Sequence, residues 1–154
     1  MTRKQSVLLV SLHLFLGITA VAGGVALMAG FQTPPLALLD SSPFRTFFVP
    51  GLALAVLVGG PAIVTAGMLL RRNPHAILPS YATAIAVLVF EGVEIAVVGS
   101  PAGPARAMQV LYVAIGISIG VASLLCRKPP IGRLADGRAD APAQPTRLSG
   151  GTAD

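Results

Sequence analysis

Residues 7–28 read VLLVSLHLFLGITAVAGGVALM, a run without one formal charge. Wound as a helix rising ~1.5 Å per residue, it is ~33 Å long, enough to cross the ~30 Å hydrocarbon core of a bilayer. A barrel strand would instead alternate apolar and polar residues over about ten positions, which this run does not do. The charge-free window around it extends from 5 to 39, and three more follow at 46–70, 73–90 and 107–126. Each window predicts one spanning helix, at about 7–29, 47–70, 79–98 and 107–126. The third reaches full length only by running past Glu91 and Glu94.

The whole chain agrees with that reading. Of its 154 residues 54% are hydrophobic and 11% charged, with mean hydropathy +0.79, whereas soluble domains average about 25% charged. A soluble fold of this composition would lack the polar surface to cover its core. The expectation is an all-α polytopic membrane protein, a four-helix transmembrane bundle over residues 1–128, its short connections setting neighbours antiparallel. Residues 129–154, PPIGRLADGRADAPAQPTRLSGGTAD, lose all apolar periodicity and read as a disordered cytoplasmic tail.

The net charge of +5 and pI of about 10.4 would suit nucleic acid. The basic residues, however, flank apolar segments or lie in the tail, with no basic face interleaved with aromatics, so no nucleic-acid partner is expected. They orient the chain instead. With the N-terminus inside, the inner segments hold Arg3, Lys4, Arg71, Arg72, Arg127, Lys128, Arg133, Arg138 and Arg147, and the outer loops hold Arg45 and Arg106: nine against two. The positive-inside rule then predicts a multi-pass cell-membrane protein with both termini cytoplasmic. A cleavable signal peptide is the competing reading of the start, since Ala20-Val21-Ala22 follows Arg3-Lys4 and an apolar run. Apolar sequence continues through GGVALMAGF, which favours retention as a span over cleavage after Ala22.

The first outer loop, about 30–46, and the start of the next span read FQTPPLALLDSSPFRTFF (31–48), which mixes Pro, Ser and Asp with Leu and Phe. Ser42-Pro43 reads as N-cap and first residue of the second helix, with Phe44, Phe47 and Phe48 on one side of its first turns. The loop is then an interfacial approach, the alternative being a lid over a cavity. Pro50-Gly51 and Gly59-Gly60-Pro61 interrupt the second span and predict a kink. Gly17, Ala20, Gly23 and Gly24 in the first span, and Gly116 and Gly120 in the fourth, predict close helix approach, within the bundle or between copies.

Polarity is costly inside a membrane, so the few polar residues carry the functional reading. Glu91 and Glu94 are three apart and share a helix face. An ionised carboxylate at that depth costs ~2.5–3.5 kcal/mol or more unless paired or wetted, and two repel each other. Either one is protonated or a cation answers them. Arg106 and Arg45 are the candidate cations, and Gln109, on one face of the fourth helix with Tyr112, could hydrogen-bond to Glu94. The first reading of Glu91, Glu94, Arg106, Gln109, Tyr112 and Arg45 is a structural ion-pair or hydrogen-bond network. Alternatives are a proton- or cation-handling site and a site for a ligand or partner.

His13 lies in the inner third of the first span and is expected to hydrogen-bond a neighbouring helix. With no second His nearby and no Cys cluster, neither metal nor cofactor is expected, and the single Cys126 reads as inert. The inner half looks nearly featureless apart from His13. Ser and Thr residues look scattered and without a paired base, and no P-loop, GxSxG, HExxH or CxxC occurs, so no catalytic residues are assigned.

Two stretches, SPFRTFFVPGLALAVLVGG (42–60) and VFEGVEIAVVGSPAGPARAMQVLYVAIGISI (89–119), resemble a family of small four-helix bacterial integral membrane proteins. The resemblance singles out Phe44, Pro50, Gly51, Glu94, Gln109 and Tyr112, and implies the fold but no activity. Three functions follow as expectations. The first is a non-enzymatic structural or interaction subunit, binding the bilayer and either itself or a larger membrane partner. The second is a small proton- or cation-coupled transporter using the glutamates. The third is an accessory subunit of a membrane enzyme.

Overall fold

A computed structural model describes residues 3–31, 35–40, 42–100 and 102–126; the tail expected at 129–154 lies outside them. Four helices are long and apolar enough to cross a membrane: α1 (Arg3–Met28), α2 (Phe48–Leu70), α3 (Ile77–Val98) and α4 (Pro104–Cys126). They form the expected four-helix transmembrane bundle, and no strand occurs among the described residues. Each helix packs on its neighbours in chain order and α4 closes back on α1, while the diagonal pairs α1–α3 and α2–α4 make no close backbone approach. Leu16, Ala20, Leu54, Val58, Val87, Ile115 and Ile119 meet in the centre. The outer surface is as apolar as the core: Leu78 is 75% exposed and Val64 63%, a surface suited to lipid and not to water.

Small residues set the spacing of two of the seams. A Cβ added to Gly17 would lie 2.6 Å from Ile63, one on Gly59 2.7 Å from Val21, and one on Gly51 2.6 Å from the Gly24 carbonyl. Helices α1 and α2 therefore touch backbone to backbone. Across α3–α4 a Cβ on Gly116 would lie 2.6 Å from Val87. The small-residue surfaces expected from the sequence are used within the bundle.

Both proline signals in α2 resolve differently. Pro50 is the third helical residue, where its missing N–H has no intrahelical partner to lose. Pro61 lacks the donor for the Leu57 carbonyl and its ring crowds that oxygen. The turn just before it, Leu54–Gly59, widens into a π-helix. The expected cap at Ser42 is a correction. Ser42 Oγ instead accepts from the Phe44 N–H at 3.2 Å, closing a turn outside the helix, and Phe47 occupies the N-cap. Nor do the phenylalanines share a side, because Phe47 is buried, Phe44 half-buried and Phe48 exposed.

Two helix ends show the same device with different residues. After α1, the Gly30 N–H reaches the Leu27 carbonyl and the Phe31 N–H that of Ala26, with Gly30 at φ +70°. This is a Schellman ending, which turns on one left-handed residue. After α2, the Arg72 N–H reaches Leu69 and the Asn73 N–H reaches Met68. There the left-handed position, φ +53°, belongs to Arg72.

Candidate functional site

In the half of the bundle away from Arg3 and Cys126, α3 and α4 turn Glu91, Glu94, Gln109 and Tyr112 toward each other. Glu91 is 1% exposed, Gln109 4% and Tyr112 5%, while Glu94 is half-buried. Gln109 Nε2 donates to Glu94 Oε1 at 3.2 Å and to the Gly99 carbonyl at 3.1 Å. Those two acceptors fix the amide's orientation, since a flipped amide would set its oxygen against both.

What this cluster lacks is donors. Glu91 Oε2 and Gln109 Oε1 are buried without a hydrogen-bond partner among the described residues. Arg106, expected to answer the carboxylates, does not. Its Nε donates to Ser100 Oγ at 3.3 Å and its terminal nitrogen to the Ser100 carbonyl at 2.7 Å. It sits in the exposed first turn of α4, where the short connection folds back within easier reach than a descent along the helix. Arg45 is exposed as well, and among the described residues neither arginine bridges to Glu91 or Glu94. The expected ion-pair staple is thus replaced by one amide bond and an unpaired glutamate. An unpaired buried acceptor costs ~1–3 kcal/mol, and a charged one more.

The opposite half is not featureless, which is a second correction. His13 Nδ1 donates to the Leu9 carbonyl at 2.8 Å, leaving Nε2 to accept from Ser80 Oγ at 3.2 Å. Ser80 Oγ in turn accepts from Ser123 Oγ at 2.8 Å. Beside them Thr83 donates to the Pro79 carbonyl at 3.0 Å, so Thr65 is the donor in the 3.4 Å Thr65–Thr83 contact. Ser80 therefore has the base that the sequence did not suggest. His13, Ser80 and Ser123 are each 0% exposed, and every hydrogen bond along this chain is made inside the bundle. It ties α1 across the diagonal to α3, and on to α4. The usable signal was the face of α3, where Ser80, Thr83, Val87 and Glu91 recur at helical spacing.

Between the two polar clusters, following each helix, lie Leu16, Val58, Val87, Ile115 and Ile119, all buried. The donor-poor side offers two carboxylates and an amide oxygen. No group of three His, Cys, Asp or Glu residues that could hold a metal forms among the described residues. The two carboxylates and the amide oxygen are all hard oxygen acceptors, unlike the imidazole and thiolate ligands that zinc and copper favour. Of the candidate residues, Glu91, Glu94, Gln109 and Tyr112 come together, while Arg45 and Arg106 stay outside. No known protein family, curated protein or solved structure matches the chain.

Proposed function

We propose that this four-helix membrane protein is a small proton- or cation-coupled carrier. Glu91 is the binding group, and Glu94, held by Gln109, supplies the second negative charge. The observation that carries this reading is the buried Glu91 Oε2, without a partner among the described residues. A staple would have a cation beside it, whereas a binding group must be left open for its ligand. In the same reading both termini face the cytoplasm and the site lies in the outer half of a cell-membrane protein, as the nine-to-two charge distribution favours.

Full-length protein in liposomes, with a pH or potassium gradient imposed, tests it. Flux is expected above that of empty vesicles, falling at least about tenfold with Glu91→Gln, while the variant keeps its helicity and elution volume. No flux from the unsubstituted protein in any gradient, or full flux from Glu91→Gln, rejects the carrier.

The interaction-subunit reading has its own support. Only 22% of the apolar window of α3 is buried, against 33–39% in the other helices. Val89, Gly92, Val93 and Ala96 are all exposed, and nothing lies within 4 Å of a Cβ on Gly92. A Gly92-to-Ala96 surface four residues apart fits a second copy of the chain. Cysteine at Ala96 is then expected to cross-link dimers in membranes, and Gly92→Leu to abolish them. Monomers throughout would remove this reading.

A further inference from the structure

At the end of the bundle that holds Arg3 and Cys126, an open groove of about 1070 Å³ runs between the start of α1, the α2–α3 connection and the start of α3. Its walls are apolar, with Val7, Leu69 and Leu78, and Arg3, Arg72 and His75 also line it. Arginines beside lipid-facing aliphatic walls match an anionic headgroup with an acyl chain attached. The rest of the chain does not match. Residues 127–154 carry five basic against three acidic side chains, so the tail would bring more positive charge to a positive rim.

Arg72 adds an independent observation. It is the one non-glycine residue with positive φ among those described. The equivalent position after α1 is glycine, the residue that takes this conformation without strain. At the groove, then, an arginine holds a backbone conformation that favours glycine. Strain retained at a specific side chain points to a use for that side chain.

We propose that the groove is a binding site for one anionic glycerophospholipid, its phosphate held by Arg72 and Arg3 and an acyl chain lying along Val7, Leu69 and Leu78. The site is independent of the carrier and of which way the bundle faces. The test titrates full-length protein in neutral detergent with phosphatidylglycerol and with phosphatidylcholine of the same chains. Retained lipid is counted by native mass spectrometry. One phosphatidylglycerol is expected, favoured over phosphatidylcholine by about fivefold per arginine engaged. Arg72→Gly is expected to raise the melting temperature in neutral detergent, since glycine relieves the backbone, and yet to lower the preference about fivefold. Arg3→Gln should lower the preference without the thermal gain. Stability and binding moving in opposite directions is a signature that a purely structural Arg72 would not give.

Equal retention of the two lipids overturns the site. So does an unchanged preference in both groove variants, or its loss when Arg133, Arg138 and Arg147 in the tail are changed to Gln. Displacement of the lipid by millimolar inorganic phosphate would assign the rim to a soluble anion instead and equally reject the proposal.

Discussion

Leucine in place of Gly24 is expected to separate α1 from α2 and to cost the fold about 3 kcal/mol. Even a methyl group has no room there. A Cβ on Gly24 would run into the Gly51 carbonyl and lie 2.8 Å from the Cβ of Ala55. Neither obstacle is the movable end of a long side chain, so only a shift of a whole helix relieves the overlap. Shifting α2 would open the Gly17 and Gly59 contacts along the same seam, and the damage would spread. Gly23, one residue earlier, is the control: its added Cβ would meet only Leu54 Cδ2, at 3.7 Å. Thermal unfolding in detergent should show Gly23→Ala neutral or slightly stabilising, since alanine is the better helix former, and Gly24→Ala clearly destabilising. Equal responses from the two would mean that the seam is looser than its geometry indicates.

Leucine at Glu91 should do the reverse and raise stability by about 2 kcal/mol while ending any transport. Replacing a buried ion pair by apolar residues of similar volume is often neutral or stabilising by ~1–4 kcal/mol, and a carboxyl without a partner has less attraction to lose. Here the gain is not offset by a broken bond, because no described residue bonds to Glu91 Oε2. Glu94→Leu should not show the gain. It strips Gln109 Nε2 of one of its two acceptors. Melting temperatures of the two variants in one detergent compare them directly. A less stable Glu91→Leu would reveal a partner for that carboxylate within the fold and return it to a structural role. The expected pattern, a stabler protein that no longer works, is the trade-off found where a binding group is kept at the expense of the fold.

The helices were legible in the sequence because the bilayer imposes a length and a polarity that no other environment does. The Glu94–Gln109 bond was legible for a related reason: both side chains sit near the ends of helices joined by a short connection, so their heights match. The distortion before Pro61 followed from the missing donor, although its form, a widened turn, did not.

The His13–Ser80–Ser123 tie was not legible. Its members are 67 and 43 residues apart, and a helical hydroxyl need not look outward for a partner. Thr19 and Ser118 show the alternative, each donating to a carbonyl four residues back, Phe15 and Ala114, at 2.7 Å. The shared face of α3 marks Ser80 as inward-facing, but it does not name His13 or Ser123 as its partners. Arg106 misled for the opposite reason. Its length made Glu94 look reachable, but the nearer Ser100 carbonyl took the guanidinium.

The buried layer of Leu16, Val58, Val87, Ile115 and Ile119 has an electrical consequence. Polar and wetted groups screen a field, whereas aliphatic side chains hardly respond to one. In a carrier of the kind proposed, with water admitted to each polar cluster in turn, most of the voltage across the bundle would fall over that one stratum. A charge resting at Glu91 lies to one side of the drop. For such a carrier the work of ~2.3 kcal/mol per unit charge for every 100 mV would belong to passage across the layer, and little of it to the binding.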